Sequence, residues 1–326
     1  MARNTGDGKR IGLIRNRYQK ENTRTGRGMN KHAFLIIAHD NWSVLRVLLR
    51  MLDDSRVDIY LHIDKEALPP KDITAYIPKH GGFELIDRRA VRWADYSMVQ
   101  VTLDLLAAAT QREYRYYHLL SGTDLLIKTI DEVVAFFAAQ EAEFVGIVPK
   151  ESWYSIRRVK YYHLFTSNRR YRTSFTLRAA DRVLELLQRI SGVNRLAAVA
   201  DWKIYDGWQW FSITDHCARF VLAKRKDIRQ LFRKTLCPDE LFLQTILMNS
   251  EYAGRLHDIS DLRRGSARHI DWQRGTPYTF QAEDLSELLQ SDAMFARKFD
   301  TGTDKQIVYE IERRVRAGKP GRPVSW

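Results

Sequence analysis

Polar and charged residues in this chain collect where an α/β protein holds its ligands. His39-Asp40 follow the apolar run Ala33–Ala38, Asp64-Lys65 follow Val57–Ile63, and Ser121-Gly122-Thr123-Asp124 follow Tyr117–Leu120. In α/β sheets ligands bind beyond the carboxyl ends of the strands. An aspartate placed there accepts from a ribose hydroxyl or a uracil N–H. A helix cap or a turn explains any one of these residues taken singly, but three groups on one sheet edge favour a binding site.

A second candidate is Pro238-Asp239-Glu240, which opens an apolar helix running to Met248. The helix dipole favours carboxylates in a first turn, and that alone accounts for both acids. The helix is apolar on most sides and is therefore expected to be buried. Burial raises the proton affinity of a carboxylate, which suits a general base. A third group is basic: Arg263, Arg264, Arg268, Arg274, Arg297 and Lys298. A diphosphate is one partner for such a segment, although a solvated face accounts for most of these side chains. Cys237, beside Pro238, reads as a small buried hydrophobe rather than a nucleophile. The sequence has no G-x-S-x-G, Walker loop, H-E-x-x-H or paired C-x-x-C. It also has no G-x-G-x-x-G after the first strand, which argues against a dinucleotide enzyme.

The elements that position these residues alternate. Strands are predicted at Ala33–Ala38, Val57–Ile63, Phe83–Ile86, Tyr117–Leu120 and Phe144–Val148. Between them fall helices at Asn41–Leu52, capped by Asn41 or Asp40, at Ser97–Ala109, and after the capping box Thr129-Ile130-Asp131-Glu132. Short links between strands and helices predict a largely parallel sheet covered on both faces. Residues 151–200 are basic and aromatic and contain an amphipathic helix at about Leu177–Ile190. A strand at Trp208–Thr214, a helix at Asp215–Ala223 and terminal helices at 282–290 and 304–317 complete the pattern.

Bulk properties narrow the class. Of 326 residues, 44% are hydrophobic and 29% charged, as in a globular chain. The aromatic share is 11%, with eight tryptophans, and sugar rings are among the ligands that pack on aromatic faces. Nine Lys/Arg against two Asp/Glu in residues 1–31 leave only +6 of the net +13 for the rest. That balance suits a phosphate-bearing substrate or an anionic membrane and does not require nucleic acid. Two cysteines, Cys217 and Cys237, argue against a disulfide framework and fit a reducing compartment. No stretch reaches the length of a membrane span. Residues 1–30 read as a disordered basic tail, of which 1–28 are expected to be dispensable for folding, with Met29 an alternative start. Residues 31–326 read as a single domain, with a nucleotide-binding half at 31–150 and an acceptor and catalytic half at 151–326.

Taken in order, HAFLIIAHDN…IYLHIDK (32–65), RWADYS (92–97), YYHLLSGTDLLIKT (116–129), GWQWFSIT (207–214), CPDELFLQT (237–245) and FARKF (295–299) resemble the Core-2/I-branching β-1,6-N-acetylglucosaminyltransferases, glycosyltransferase family 14. That family also includes the peptide O-xylosyltransferases. The resemblance implies a GT-A-like fold with a mostly parallel nucleotide-sugar-binding sheet flanked by helices and a C-terminal helical part. It also implies a UDP-sugar donor and inversion. The family's catalytic base falls on Glu240, its donor-phosphate lysine on Lys298, and its nucleoside-contacting aspartate on Asp64. Arg274 is nearest to its phosphate-binding arginine, after a one-residue shift. His39 and Asp124 are expected on the donor side. Trp208, Gln209, Trp210 and Asp239 are expected on the acceptor side. Asp239 is also expected to cap or hold the start of its helix.

With two cysteines and no span-length apolar stretch in the sequence, the chain resembles a bacterial, cytoplasmic relative, expected to lack the anchor of secretory members, to be peripheral at the inner membrane face and to build surface polysaccharide. Its acceptor is expected to be a glycan or lipid-linked glycan. No D-x-D occurs, so no metal and no other cofactor is expected, and basic side chains must stabilise the leaving UDP. Two alternatives remain open from sequence: a nucleic-acid-binding protein using the basic aromatic segment at 151–172, and a non-catalytic sugar-binding relative.

Overall fold

The computed structural model describes residues 31–318, so the expected tail at 1–30 lies outside the described residues. In chain order the elements are β1 (His32–Ala38), α1 (Trp42–Met51), β2 (Val57–Ile63), β3 (Gly82–Leu85), α2 (Ser97–Ala109), β4 (Tyr116–Ser121), β5 (Leu125–Leu126) and α3 (Ile130–Ala138). These are followed by β6 (Phe144–Ile147), α4 (Trp153–Lys160), α5 (Phe175–Ile190), β7 (Gly207–Thr214), α6 (Asp215–Ala223) and α7 (Arg225–Phe232). The chain ends with α8 (Phe242–Met248), α9 (Leu262–Ser266), β8 (Arg268–Ile270), α10 (Leu285–Gln290), β9 (Phe295–Arg297) and α11 (Lys305–Arg316). The fold is α/β and GT-A-like, as the sequence predicts.

The chain forms two compact units, and both are discontinuous. Among the described residues the first takes 31–88, Ala108–Gln140 and 268–318; the second takes Arg89–Ala107 and Glu141–Ala267. The division therefore does not follow the expected halves on either side of residue 150, because the C-terminal segment returns to the first unit.

In the first unit β3, β2, β1 and β4 lie side by side, all parallel, with Ile37 opposite His62 on one flank and Ser121 on the other. Every residue of β1, β2 and β4 is buried, which is why these runs are continuously apolar rather than alternating. Helix α1 buries Val44, Leu45 and Leu48 and is tied to α11 by a bidentate Arg50–Glu312 pair at 2.7 Å. The start of α1 differs from the expected side-chain cap. Asn41 sits in the left-handed region at φ 49° with no side-chain cap bond, and its carbonyl takes the N–H groups of Val44 and Leu45. Asparagine tolerates that region better than most residues. The capping box at Thr129–Glu132 forms as read. A small sheet, β5-β9-β8, completes the unit. In its core His32 and His118 face each other at 2.9 Å. Burial lowers the proton affinity of both, that of His32 to about 4, with Arg115 adding to the effect on His32.

In the second unit β6 and β7 pair antiparallel, Phe144 opposite Ser212. Where the register shifts, a Cβ on Gly207 would lie 1.9 Å from the Gly146 carbonyl oxygen, so only glycine fits. Helix α5 begins two residues before its predicted start. Pro238–Glu240 forms a separate 3₁₀ turn ahead of α8 rather than the first turn of one continuous helix.

Candidate active site

The carboxyl edge of the parallel sheet gathers most of the residues expected at the donor. Asp64 follows β2; its N–H donates to the Ala38 carbonyl at 2.9 Å and its Oδ1 accepts from Glu66 N at 2.7 Å. Its side chain is buried. His39, after β1, is exposed, with Nε2 3.4 Å from Asp40 Oδ2. Gly122, after β4, lets the chain pass close to β1: a Cβ there would meet Ala38 Cβ at 2.9 Å.

Asp124 is buried and accepts from Ser121 N at 2.8 Å. Burial raises its proton affinity, and Arg297, 3.7 Å away, opposes that rise. Arg268 lies in the same buried region, with Nη2 donating to the Leu119 carbonyl at 3.2 Å. Desolvation lowers its proton affinity to about 9, and Asp124 pulls the other way. Phe299 N donates to the Thr123 carbonyl at 3.0 Å. That bond ties the segment carrying Lys298 to the same strand end. Lys298 is half-buried, and among the described residues its ammonium has no hydrogen-bond or ion-pair partner.

Arg274 is differently placed. Its guanidinium is taken by three carboxylates: Asp271, Asp284 at 2.6 Å and Glu287 at 2.9 Å. It also lies 4.3 Å over the Tyr278 ring. The Asp271 hydrogen bond, followed by that of Asp284, raises its proton affinity further. A diphosphate would have to displace carboxylates to reach it.

The second unit holds the carboxylate turn. Cys237 takes a left-handed conformation, φ 47°, and starts the turn with no side-chain cap. The cap expected of Asp239 is therefore absent. Arg158, from α4, is buried and organises the turn. It donates to the carbonyls of Leu236 at 2.9 Å and Cys237 at 2.6 Å, and to Glu240 Oε2 at 2.8 Å. The Glu240 side chain is nevertheless 45% exposed.

The raised proton affinity expected of a carboxylate in this turn is found at Asp239. Burial and then the charge of Glu240 push Asp239 up to about 7, against the pull of Arg158. A buried guanidinium at hydrogen-bond distance instead holds Glu240 in an ion pair. Burial pushes the Cys237 thiol well up, with the charge of Asp239 adding to it, which argues against a thiolate nucleophile. Both cysteines are free.

The turn packs against β7. On that strand Trp208 and Gln209 are half-buried and Trp210 is buried. The Gln209 amide nitrogen is buried with no hydrogen-bond partner among the described residues, and Gln244 holds the Trp208 carbonyl at 2.8 Å. The second unit thus brings Asp239, Glu240 and the β7 residues together. Arg158, Arg268 and Arg297 were missed as individual site residues. Arg268 and Arg297 read only as part of a basic group at 263–298, and Arg158 as one of many in 151–172. Among the described residues no cluster of His, Cys, Asp and Glu is arranged to hold a metal ion, and no helix is long and apolar enough to cross a membrane.

Parallel strands flanked by helices make this an α/β protein of the GT-A-like class. The chain belongs to the Core-2/I-branching enzyme family of glycosyltransferases, whose sequence profile matches residues 32–291. Among curated relatives it is similar to Xylosyltransferase 1 of Canis lupus familiaris and of Homo sapiens, 23% identical over 336 residues in each case. These alignments cover 90% of this chain and 32% of each relative. It is also similar to Xylosyltransferase oxt of Drosophila melanogaster, 23% identical over 277 residues, covering 78% of this chain and 30% of that protein. The chain spans about a third of the length of these relatives.

Proposed function

We propose that this protein transfers a sugar from a UDP-sugar to an acceptor hydroxyl with inversion at the anomeric carbon, using Glu240 as base and no metal. The acceptor oxygen forms its bond to the anomeric carbon as the bond to the diphosphate breaks. The hydroxyl proton passes to the Glu240 carboxylate, and UDP departs with the electron pair. The observation that carries this reading is the Arg158–Glu240 pair. A buried arginine fixes one carboxylate oxygen, while the side chain stays accessible to an acceptor. Asp239, near neutral pH, is partly protonated and serves to orient the acceptor, together with Trp208, Gln209 and Trp210.

On the donor side Asp64 and His39 receive the nucleoside, and Asp124 holds the end of the neighbouring strand β4. Lys298 stabilises the leaving diphosphate; its ammonium, unpaired among the described residues, and the absence of D-x-D in the sequence support that role. Arg274 takes part only on release from its three carboxylates. The donor is UDP-N-acetylglucosamine, as in the Core-2/I-branching enzymes, or UDP-xylose, as the names of the relatives suggest. The acceptor is a glycan or lipid-linked glycan in surface polysaccharide synthesis at the cytoplasmic membrane face.

The test is UDP release and product mass from a panel of UDP-sugars and acceptors, comparing the native chain with Glu240→Gln. The variant keeps the shape of the side chain and removes its basicity. It is expected to lower kcat by about 100-fold or more, as for loss of a general base, with donor affinity unchanged. Normal turnover by Glu240→Gln sinks the assignment of the base. No turnover with any UDP-sugar sinks the activity.

A further inference from the structure

Helix α5 is mounted with its polar face inward. Asp181, Glu185 and Gln188 are its buried residues, and each is tied down. Asp181 Oδ2 lies 2.6 Å from His163 Nδ1 and accepts from the Tyr171 hydroxyl at 3.0 Å. Glu185 takes Arg157 at 2.8 Å. Gln188 accepts from Tyr162 N at 2.8 Å and donates to the Tyr162 carbonyl at 3.0 Å.

The opposite face is apolar and open to solvent. Phe175 and Ile190 are each 77% exposed, and Val183, Leu186 and Leu187 are each more than half exposed. At 100° per residue these five fall within an arc of roughly 120°. An amphipathic helix of a water-soluble surface turns such a stripe toward the core. Here the helix cannot roll over without breaking every one of the buried polar contacts.

The rim of this face is basic and aromatic. Arg178, Arg182 and Arg189 are exposed and follow one edge of the apolar arc. The Arg189 guanidinium lies 5.9 Å from the ring centre of Trp153, which is itself half-exposed, and Lys160 Nζ lies 5.6 Å from the same ring. An apolar stripe edged by arginines with a tryptophan at its margin has the chemistry of a helix lying in a bilayer interface: acyl chains meet the apolar side chains and lipid phosphates meet the guanidinium groups.

We propose that α5 is an in-plane membrane anchor, seated in the headgroup boundary of an anionic phospholipid bilayer. The helix brings the protein to a lipid surface without spanning it, and the assignment is independent of the transfer reaction.

The test is flotation of the full chain with vesicles of phosphatidylcholine alone or with a quarter phosphatidylglycerol. The native chain is expected to float with the anionic vesicles. The double variant Leu187→Glu/Ile190→Glu should lower the partition coefficient tenfold or more. Both positions are solvent-exposed, so its melting temperature should match the native value. Arg178→Gln/Arg182→Gln/Arg189→Gln should remove the preference for anionic over neutral vesicles. Unchanged binding by the Leu187/Ile190 variant would assign membrane attachment to the basic N-terminal residues and overturn the proposal. So would failure of the native chain to bind anionic vesicles. A concentration-dependent dimer that the same double substitution disperses, with no vesicle binding, would make the face a contact between copies and overturn it equally.

Discussion

Asp239 gives the most discriminating prediction, because a cap and a crowded carboxylate respond to substitution with opposite signs. Its ordinary carboxylate value of 3.8 applies in the unfolded chain, whereas burial and the neighbouring Glu240 raise it to about 7 in the folded one. At about 1.4 kcal/mol per unit the shift sets a ceiling of about 4 kcal/mol. The half-buried position of Asp239 and its coupling to Glu240 reduce that to about 1–2 kcal/mol. The folded state holds this proton more tightly than the unfolded chain. The resulting stability is fully present below pH 3.8 and is lost as pH rises through about 7. Asp239→Asn has no proton to lose. Relative to the native chain it should therefore gain stability between pH 5 and pH 8, by about 1 kcal/mol. Urea unfolding of both proteins at the two pH values measures the change. The buried His32–His118 pair titrates in both and cancels in the difference. Glu240→Gln removes the second cause of the shift and should shrink the same pH dependence. A variant that is equally destabilised at pH 5 and pH 8 would show that Asp239 holds the turn in place and would refute the reasoning.

Three further outcomes are expected. Arg158→Met should lower kcat by about 10- to 100-fold, the scale of the roughly 1.5–3 kcal/mol that a hydrogen bond to a charged group contributes; added to Glu240→Gln it should lower the rate little further, since Arg158 acts through that carboxylate, and fully additive rate losses would refute the link. Lys298→Ala should cost about 2–5 kcal/mol of transition-state stabilisation, the scale of an oxyanion or charge contact, and a near-native kcat/KM would remove Lys298 from the site. Turnover should survive EDTA, and activity that vanishes in EDTA and returns with Mn²⁺ would refute the metal-free reading.

The parallel sheet was legible because β1, β2 and β4 are buried on both faces, which writes them as unbroken apolar runs. The capping box at Thr129 was legible because its two partners are three residues apart. The details of the carboxylate turn were not. Its shape depends on Cys237 adopting a left-handed conformation and on Arg158, 82 residues from Glu240 in sequence. Nothing local distinguishes that arginine from its neighbours Arg157 and Lys160. The same holds for Arg274: its three carboxylates lie within 13 residues, but only the folded loop makes them converge on one guanidinium.

Helix α5 shows why periodicity alone could not orient an element. The alternation that predicts an amphipathic helix at 177–190 is real, and the helix forms. Periodicity gives the angle between the polar and apolar faces but not which of them meets the protein. That choice depends on what the polar face can bind. Asp181, Glu185 and Gln188 each find a specific partner in His163, Arg157 and the Tyr162 backbone. Such contacts satisfy groups whose burial would otherwise be costly. Five apolar side chains left in water oppose the arrangement, each by a fraction of the roughly 1.5–3 kcal/mol that full burial of such a side chain contributes. An anionic bilayer removes that opposition and supplies phosphates to the arginines along the edge. The inward face then keeps its polar contacts while the outward apolar face leaves water, which neither water nor a rolled helix would achieve.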